Sequence, residues 1–120
     1  MRDHTSLKAW QEARKVSRGV ILAARDHWKP WASAVFYQLQ RASLSVQLNI
    51  AEGYTFSDSP TFTRHLGIAY GSAVETGELI DLALDVAVLP GQTGEELQKS
   101  NRQSQRLLLG MLKRRRNTIR

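Results

Sequence analysis

Apolar residues recur every three or four positions along most of this chain, which is the spacing of one face of an α-helix. Charged and polar residues fall between them, and no segment alternates with the two-residue period of a strand. The pattern predicts four helices joined by short loops, at about residues 6–26, 33–54, 60–88 and 94–112. Four such helices favour an all-α fold, an up-down-up-down antiparallel four-helix bundle.

Prolines and small polar residues mark the predicted helix ends. Ser59 can cap the third helix, because Pro60 then occupies the first helical position, where its missing N–H costs nothing. Pro90 stops that helix. Thr93 and Glu96 have the spacing of a capping box, which predicts the start of the fourth helix.

The second predicted helix carries no charged residue between positions 42 and 51, so we expect it to be enclosed on more than one side. If it pairs antiparallel with the third helix, residues at one level have numbers with a constant sum. A sum of 116 predicts a polar seam of four pairs: Arg41 with Glu75, Ser45 with Gly71, Asn49 with Gly67, and Glu52 with Arg64.

In this seam the glycines would let the two backbones approach closely, and the opposite charges would pair. We interpret it as a buried network that sets the helix register, since buried charges are normally paired. The alternative is a catalytic or ligand-binding site made from Arg41, Asn49, Glu52 and Glu75.

Length and composition limit the classes of protein that need consideration. The 120 residues suffice for one domain, which we place at residues 1–112. The chain has no cysteine, no signal-like apolar segment at its start and no apolar run long enough to span a membrane. We therefore expect a cytoplasmic protein without a membrane partner.

Neither a metal site nor a catalytic site can be assembled from the sequence. The three histidines are far apart, and neither a Glu-x-x-His nor a paired-histidine spacing occurs on one helix. His65 could act as a general base beside Glu52, but a surface or capping role is the simpler interpretation. We predict a protein without a cofactor that is not an enzyme.

The net charge of +6 lies entirely in the last quarter of the chain. Residues 1–90 hold nine basic and nine acidic residues, whereas residues 91–120 hold eight basic and two acidic ones. Such an excess suggests contact with the phosphates of RNA or DNA. The candidate contacts are Arg102, Arg106, Lys113, Arg114, Arg115, Arg116 and Arg120.

Residues 113–120 form a basic tail, for which a disordered segment and an extension of the fourth helix are both open interpretations. A tail that only increases solubility is the alternative to nucleic-acid binding.

The segment from Arg41 to Gly53, followed by Phe62, Leu66, Ile68-Ala69, Gly71-Ser72 and Glu75, resembles the four-helix-bundle family first noted in 23S rRNA intervening sequences. That family is similar to the accessory variability proteins of diversity-generating retroelements. The resemblance covers about residues 6–110.

The resemblance implies a homopentameric ring with a positively charged surface, and a reverse transcriptase as a protein partner. It supplies no catalytic residue. One departure from the family pattern is Thr55-Phe56, which stands where a Gly-Arg pair is common and removes a cation from that turn. Two functions remain: a non-enzymatic oligomeric scaffold that binds nucleic acid, or a structural, protein-interaction module without that role.

Overall fold

The computed structural model describes residues 3–119, with side chains for residues 3–116. Four helices account for most of this part: α1 (Lys8–His27), α2 (Ser33–Tyr54), α3 (Pro60–Asp85) and α4 (Gly91–Ile119). Short 3₁₀ turns at His4–Ser6 and Pro30–Ala32 precede α1 and α2. The described residues contain no strand.

The helices pack as a square. Each helix packs against its neighbours in the chain, and α1 also packs against α4, whereas the described residues of the diagonal pairs have no Cα atoms within 8 Å of each other. The resulting body measures 47 × 26 × 21 Å along its principal axes. These observations confirm the predicted all-α four-helix bundle.

The helix starts show which predicted caps are formed. Ser59 caps α3 as predicted, since its hydroxyl accepts a hydrogen bond of 3.2 Å from the N–H of Thr61. The capping box at Thr93 is not formed. The helix α4 already begins at Gly91, and the N–H of Gly94 donates to the carbonyl of Pro90 over 3.0 Å. At its other end α4 continues to Ile119, so residues 113–119 of the basic tail extend this helix.

The end of α3 lies earlier than predicted, at Asp85 instead of about Val88. The N–H of Val88 donates to the carbonyl of Ala83 and that of Ala87 to Leu84, which is the bonding pattern of a Schellman motif. Ala87 has a φ of 58°, the left-handed conformation that glycine normally supplies at this position. This turn ends the helix before Pro90 is reached.

The apolar core has two parts, one near each end of the bundle. The cluster near the α1–α2 connection is built around Val20, Phe36, Leu39 and Ile80. The other, near the α2–α3 turn, is built around Ile50, Leu66 and Leu108, with Trp10 packed against it. Every helix contributes to both clusters, so both hold the bundle together.

A layer of buried polar side chains lies between the two clusters. Asn101 donates to the carbonyl of Ala73 over 2.9 Å, and Gln98 donates to that of Gly77 over 3.0 Å. These bonds tie α4 to the middle of α3. The layer is completed by Ser17, Ser43, Thr76 and Ser104, all of them buried.

Candidate nucleic-acid interface

Exposed cations line one side of α4. Lys99, Arg102, Arg106 and Lys113 are three, four and seven residues apart, so a helix of 3.6 residues per turn places them together. Arg116 follows one turn further on, and all five side chains are exposed. At 1.5 Å per residue, this α4 cationic face extends about 26 Å along the helix axis.

The helix α1 adds a cation beside this face. Lys15 lines a groove of about 490 Å³ between α1 and α4, together with Lys99 and Arg106. Glu12 and Glu96 line the same groove, and the Nζ of Lys15 lies 2.8 Å from Oε2 of Glu12. The groove therefore holds carboxylates as well as cations, and its positive character comes from α4.

The α4 cationic face has no acidic partner among the described side chains. The salt bridges among the described side chains are Lys15–Glu12 and Arg25–Asp26, and neither includes a residue of α4. Arg106 donates a hydrogen bond of 2.8 Å to the amide oxygen of Gln103, which is uncharged. The positive charge of this face thus remains available to an external anion.

The guanidinium group of Arg115 is bonded to residues more than 50 positions away in the chain. Its Nε donates to the hydroxyl of Thr63 over 2.7 Å. Its two terminal nitrogens donate to the carbonyl oxygens of Ser57 and Ser59, over 3.1 and 2.8 Å. The group also lies 4.8 Å from the centroid of the Phe62 ring. These contacts engage the guanidinium of Arg115 within the protein, and its contact with a phosphate stays a prediction.

The turn between α2 and α3 gains a cation through this contact. We expected the residues Thr55-Phe56 to leave that turn without a basic residue. The guanidinium of Arg115 reaches the turn from α4 instead. Of the remaining predicted contacts, Arg114 is exposed, and Arg120 lies outside the described residues.

The charges are also sorted along the length of the bundle. The end formed by the α1–α2 and α3–α4 connections holds most of the acidic residues, namely Asp26, Glu78, Asp81, Asp85, Glu95 and Glu96. The opposite end holds the basic run that closes α4, together with Lys8 and Arg64. The basic residues at this second end are therefore close together in space.

Two of the predicted seam residues form hydrogen bonds between α2 and α3. The Oγ of Ser45 lies 2.7 Å from the Oγ of Ser72, and the Oδ1 of Asn49 lies 2.9 Å from Nδ1 of His65. Asn49 also donates to the carbonyl of Ser45 over 2.9 Å. The residue numbers sum to 117 and 114, close to the predicted register of 116.

The predicted ion pairs of the seam are not formed, because Arg41, Glu52, Arg64 and Glu75 all lie on the exposed side of their helices. Among the described side chains, none of these four takes part in a salt bridge. Arg41 instead donates to the hydroxyl of Tyr37 over 3.4 Å. The pKa of Arg41 is raised mainly by this hydrogen bond, and the negative charge of Glu75 raises it by a smaller amount.

The predicted role of the two seam glycines is also wrong. A Cβ atom added to Gly67 or Gly71 would meet no atom within 4 Å, so neither glycine faces α2. The close approach occurs at Gly53, where a Cβ would lie 2.6 Å from Cβ of His65 and 2.9 Å from Cδ1 of Phe62. The sequence pattern gives no signal for this contact, because the packing partners of Gly53 belong to another helix.

The described residues contain no group of three or more histidine, cysteine, aspartate or glutamate side chains placed to hold a metal ion. His65 is bonded to the amide of Asn49 and not to a carboxylate. Of the alternative catalytic set, Arg41, Glu52 and Glu75 are exposed, and Asn49 is partly buried. None of the described helices is long and apolar enough to cross a membrane.

Most of this bundle matches a known protein family. The model of the 23S rRNA-intervening sequence protein family matches residues 5–110, which include all of α1, α2 and α3. The chain belongs to this family. Within the family match lie Arg102 and Arg106, whereas Lys113 and the residues after it lie beyond its end. No curated protein matches the sequence.

Proposed function

We propose that this member of the 23S rRNA-intervening sequence protein family is a non-enzymatic, oligomeric scaffold that binds RNA or DNA in the cytoplasm. The observation that carries the proposal is the α4 cationic face, whose five exposed cations have no carboxylate within salt-bridge distance among the described side chains. The family's name, which refers to ribosomal RNA, agrees with a nucleic-acid partner.

The dimensions of the face suit a phosphate backbone. One strand of DNA carries a negative charge about every 3.4 Å, so a row of about 26 Å spans roughly seven or eight phosphates. Contacts of this kind need no base sequence, because lysine and arginine neutralise the phosphates and release bound counterions. We therefore expect binding that depends steeply on salt and weakly on sequence.

Fluorescence anisotropy tests this proposal with labelled duplex DNA and duplex RNA of equal sequence, titrated at several salt concentrations. We expect the logarithm of the association constant to fall linearly with the logarithm of salt concentration, by about 0.9 for each neutralised DNA phosphate. Removal of residues 113–120 should lower both the affinity and the slope. Failure to bind either duplex at low salt would contradict the proposal.

We also propose that the chain assembles with copies of itself, as a homopentameric ring. Large apolar side chains remain exposed on α2 and α3, among them Tyr37 at 58%, Leu48 at 49% and Val74 at 42% exposure. The open space beside Gly67 and Gly71 would admit the helix of a neighbouring subunit. The number five rests on the family resemblance alone.

A second candidate function is a protein-interaction module without a nucleic-acid role. Exposed aromatic residues favour it: Trp31 is 68% exposed, and Trp28 is 50% exposed although its ring stacks on Phe36 at 6.0 Å. Such rings are common at protein interfaces.

In the scaffold proposal the protein partner is a reverse transcriptase, as the resemblance implies. Isolation of a reverse transcriptase with the chain from its native host would support that partner.

A further inference from the structure

Arg115 lies on the packed side of α4, although its neighbours in the basic run point to solvent. Steps of three and four residues lead back from Arg115 through Met111 and Leu108 to Ser104 and Asn101. Ser104 and Leu108 are fully buried, and Asn101 nearly so. A helix places residues with this spacing on one face, so Arg115 continues the buried side of α4 beyond the apolar core.

The guanidinium of Arg115 connects three parts of the chain. It is bonded to the turn through the carbonyls of Ser57 and Ser59, and to the first turns of α3 through Thr63. The ring of Phe62 covers it at 4.8 Å. A planar fork with several donors is suited to such a junction, and a lysine ammonium cannot reproduce it.

These contacts hold the end of α4 in place. Four consecutive cations, from Lys113 to Arg116, repel one another, and the last turn of a helix lacks intrahelical partners for its carbonyls. Both effects favour fraying of this end. The bonds of Arg115 oppose it, because they attach the helix end to the α2–α3 turn and to α3.

We propose that Arg115 is a positioning residue for nucleic-acid binding, an inference that rests on the proposed function. It contacts no phosphate itself. It holds the end of α4 against the α2–α3 turn, and thereby presents Lys113, Arg114 and Arg116 to the nucleic acid in a helical arrangement. A binding partner then does not have to order these side chains, which increases affinity without adding a contact.

The substitution Arg115→Lys separates this role from direct phosphate contact, because it keeps the positive charge and removes the fork. We expect the affinity for duplex DNA to fall about fivefold to tenfold, as several hydrogen bonds to a charged group are lost. The slope of affinity against salt should stay unchanged. The matched control is Arg25→Lys, which makes the same change at an exposed arginine of α1 outside the α4 cationic face and should bind like the unchanged chain.

Thr63→Val provides a second, uncharged variant, which removes one partner of Arg115 and no cation. Thr63→Val should weaken binding without changing the slope of affinity against salt. The double variant of Thr63→Val with Arg115→Lys should bind no more weakly than Arg115→Lys alone. If Arg115→Lys does not fold, Thr63→Val carries the test. Affinity equal to that of the unchanged chain, in either variant, would overturn the positioning role.

Amide hydrogen exchange of residues 110–117 supplies a readout that does not depend on nucleic acid. Exchange in this segment should become faster in Arg115→Lys and remain unchanged in Arg25→Lys. Absence of any binding by the unchanged chain would refute the proposed function. Strong binding by the unchanged chain, matched by Arg115→Lys, would refute only the inference about Arg115.

Discussion

The side-chain amide of Asn49 in α2 accepts a hydrogen bond from His65 in α3, with 2.9 Å between Oδ1 and Nδ1. The direction of this bond follows from the amide's other contact, in which Nδ2 donates to the carbonyl of Ser45. The Oδ1 atom can only accept, so Nδ1 of His65 must carry the proton. The bond joins the two helices close to the α2–α3 turn.

Asn49→Ala should destabilise the bundle by about 1–2 kcal/mol, because it removes this interhelical bond and leaves His65 without its partner. Chemical denaturation of the folded chain measures the change. Gln38→Ala is a suitable control, since Gln38 is exposed on the same helix and its loss should change stability by less than about 0.5 kcal/mol. Equal stability of the two variants would contradict a structural role for the Asn49–His65 bond.

The two kinds of glycine in α2 and α3 should respond oppositely to alanine. Gly53→Ala forces a Cβ against His65 and Phe62, and we expect a loss of about 1–3 kcal/mol. Gly71→Ala meets open space within an exposed helix and should stabilise the single chain by about 0.5–1 kcal/mol. Thermal unfolding of both variants checks the prediction. A stabilising Gly53→Ala would contradict the close packing of Gly53 against His65 and Phe62.

Ala87→Gly should stabilise the chain, by about 1 kcal/mol, because Ala87 holds a left-handed conformation that costs a residue with a Cβ atom. The comparison is Ala34→Gly, at an exposed position in α2, which should destabilise by about the same amount. Calorimetry would show opposite shifts of the unfolding temperature. A loss of stability in both variants would mean that Ala87 is not strained.

Assembly can be tested on the exposed face of α2. Leu44→Glu combined with Leu48→Glu places charges on a surface that we assign to subunit contacts. Light scattering coupled to gel filtration should give five times the chain mass of 13.6 kDa for the unchanged protein and one chain for the variant. Helix content should be the same in both. A monomeric unchanged protein would contradict the proposed assembly.

The sequence predicts the helices well because their apolar periodicity is local. It predicts less about side chains whose role depends on distant partners. The four consecutive cations left a disordered tail and a helix extension both open, whereas the spacing of Arg115 from Leu108 places Arg115 on the buried side of α4. The end of α3 was missed because alanine is a poor signal for a left-handed turn.

The charges of the seam were predicted to pair because their numbers matched one register. The register itself is nearly right, as the Ser45–Ser72 contact shows. The charged residues nevertheless point outward. A helix turns by about 100° per residue, so two residues at the same height along neighbouring helices do not have to face each other. Only the polar residues that share the facing side, Ser45 and Asn49, form bonds across it.

We propose that nucleic acid binds at the α4 cationic face and is not held merely by the net positive charge of the chain. Arg102→Gln with Arg106→Gln, and Arg25→Gln with Lys29→Gln, each remove two positive charges, but only the first pair alters that face. The measurement is the slope of duplex-DNA affinity against salt concentration. We predict a slope smaller by about two for the first pair and unchanged for the second. Equal slopes for the two double variants would contradict the claim.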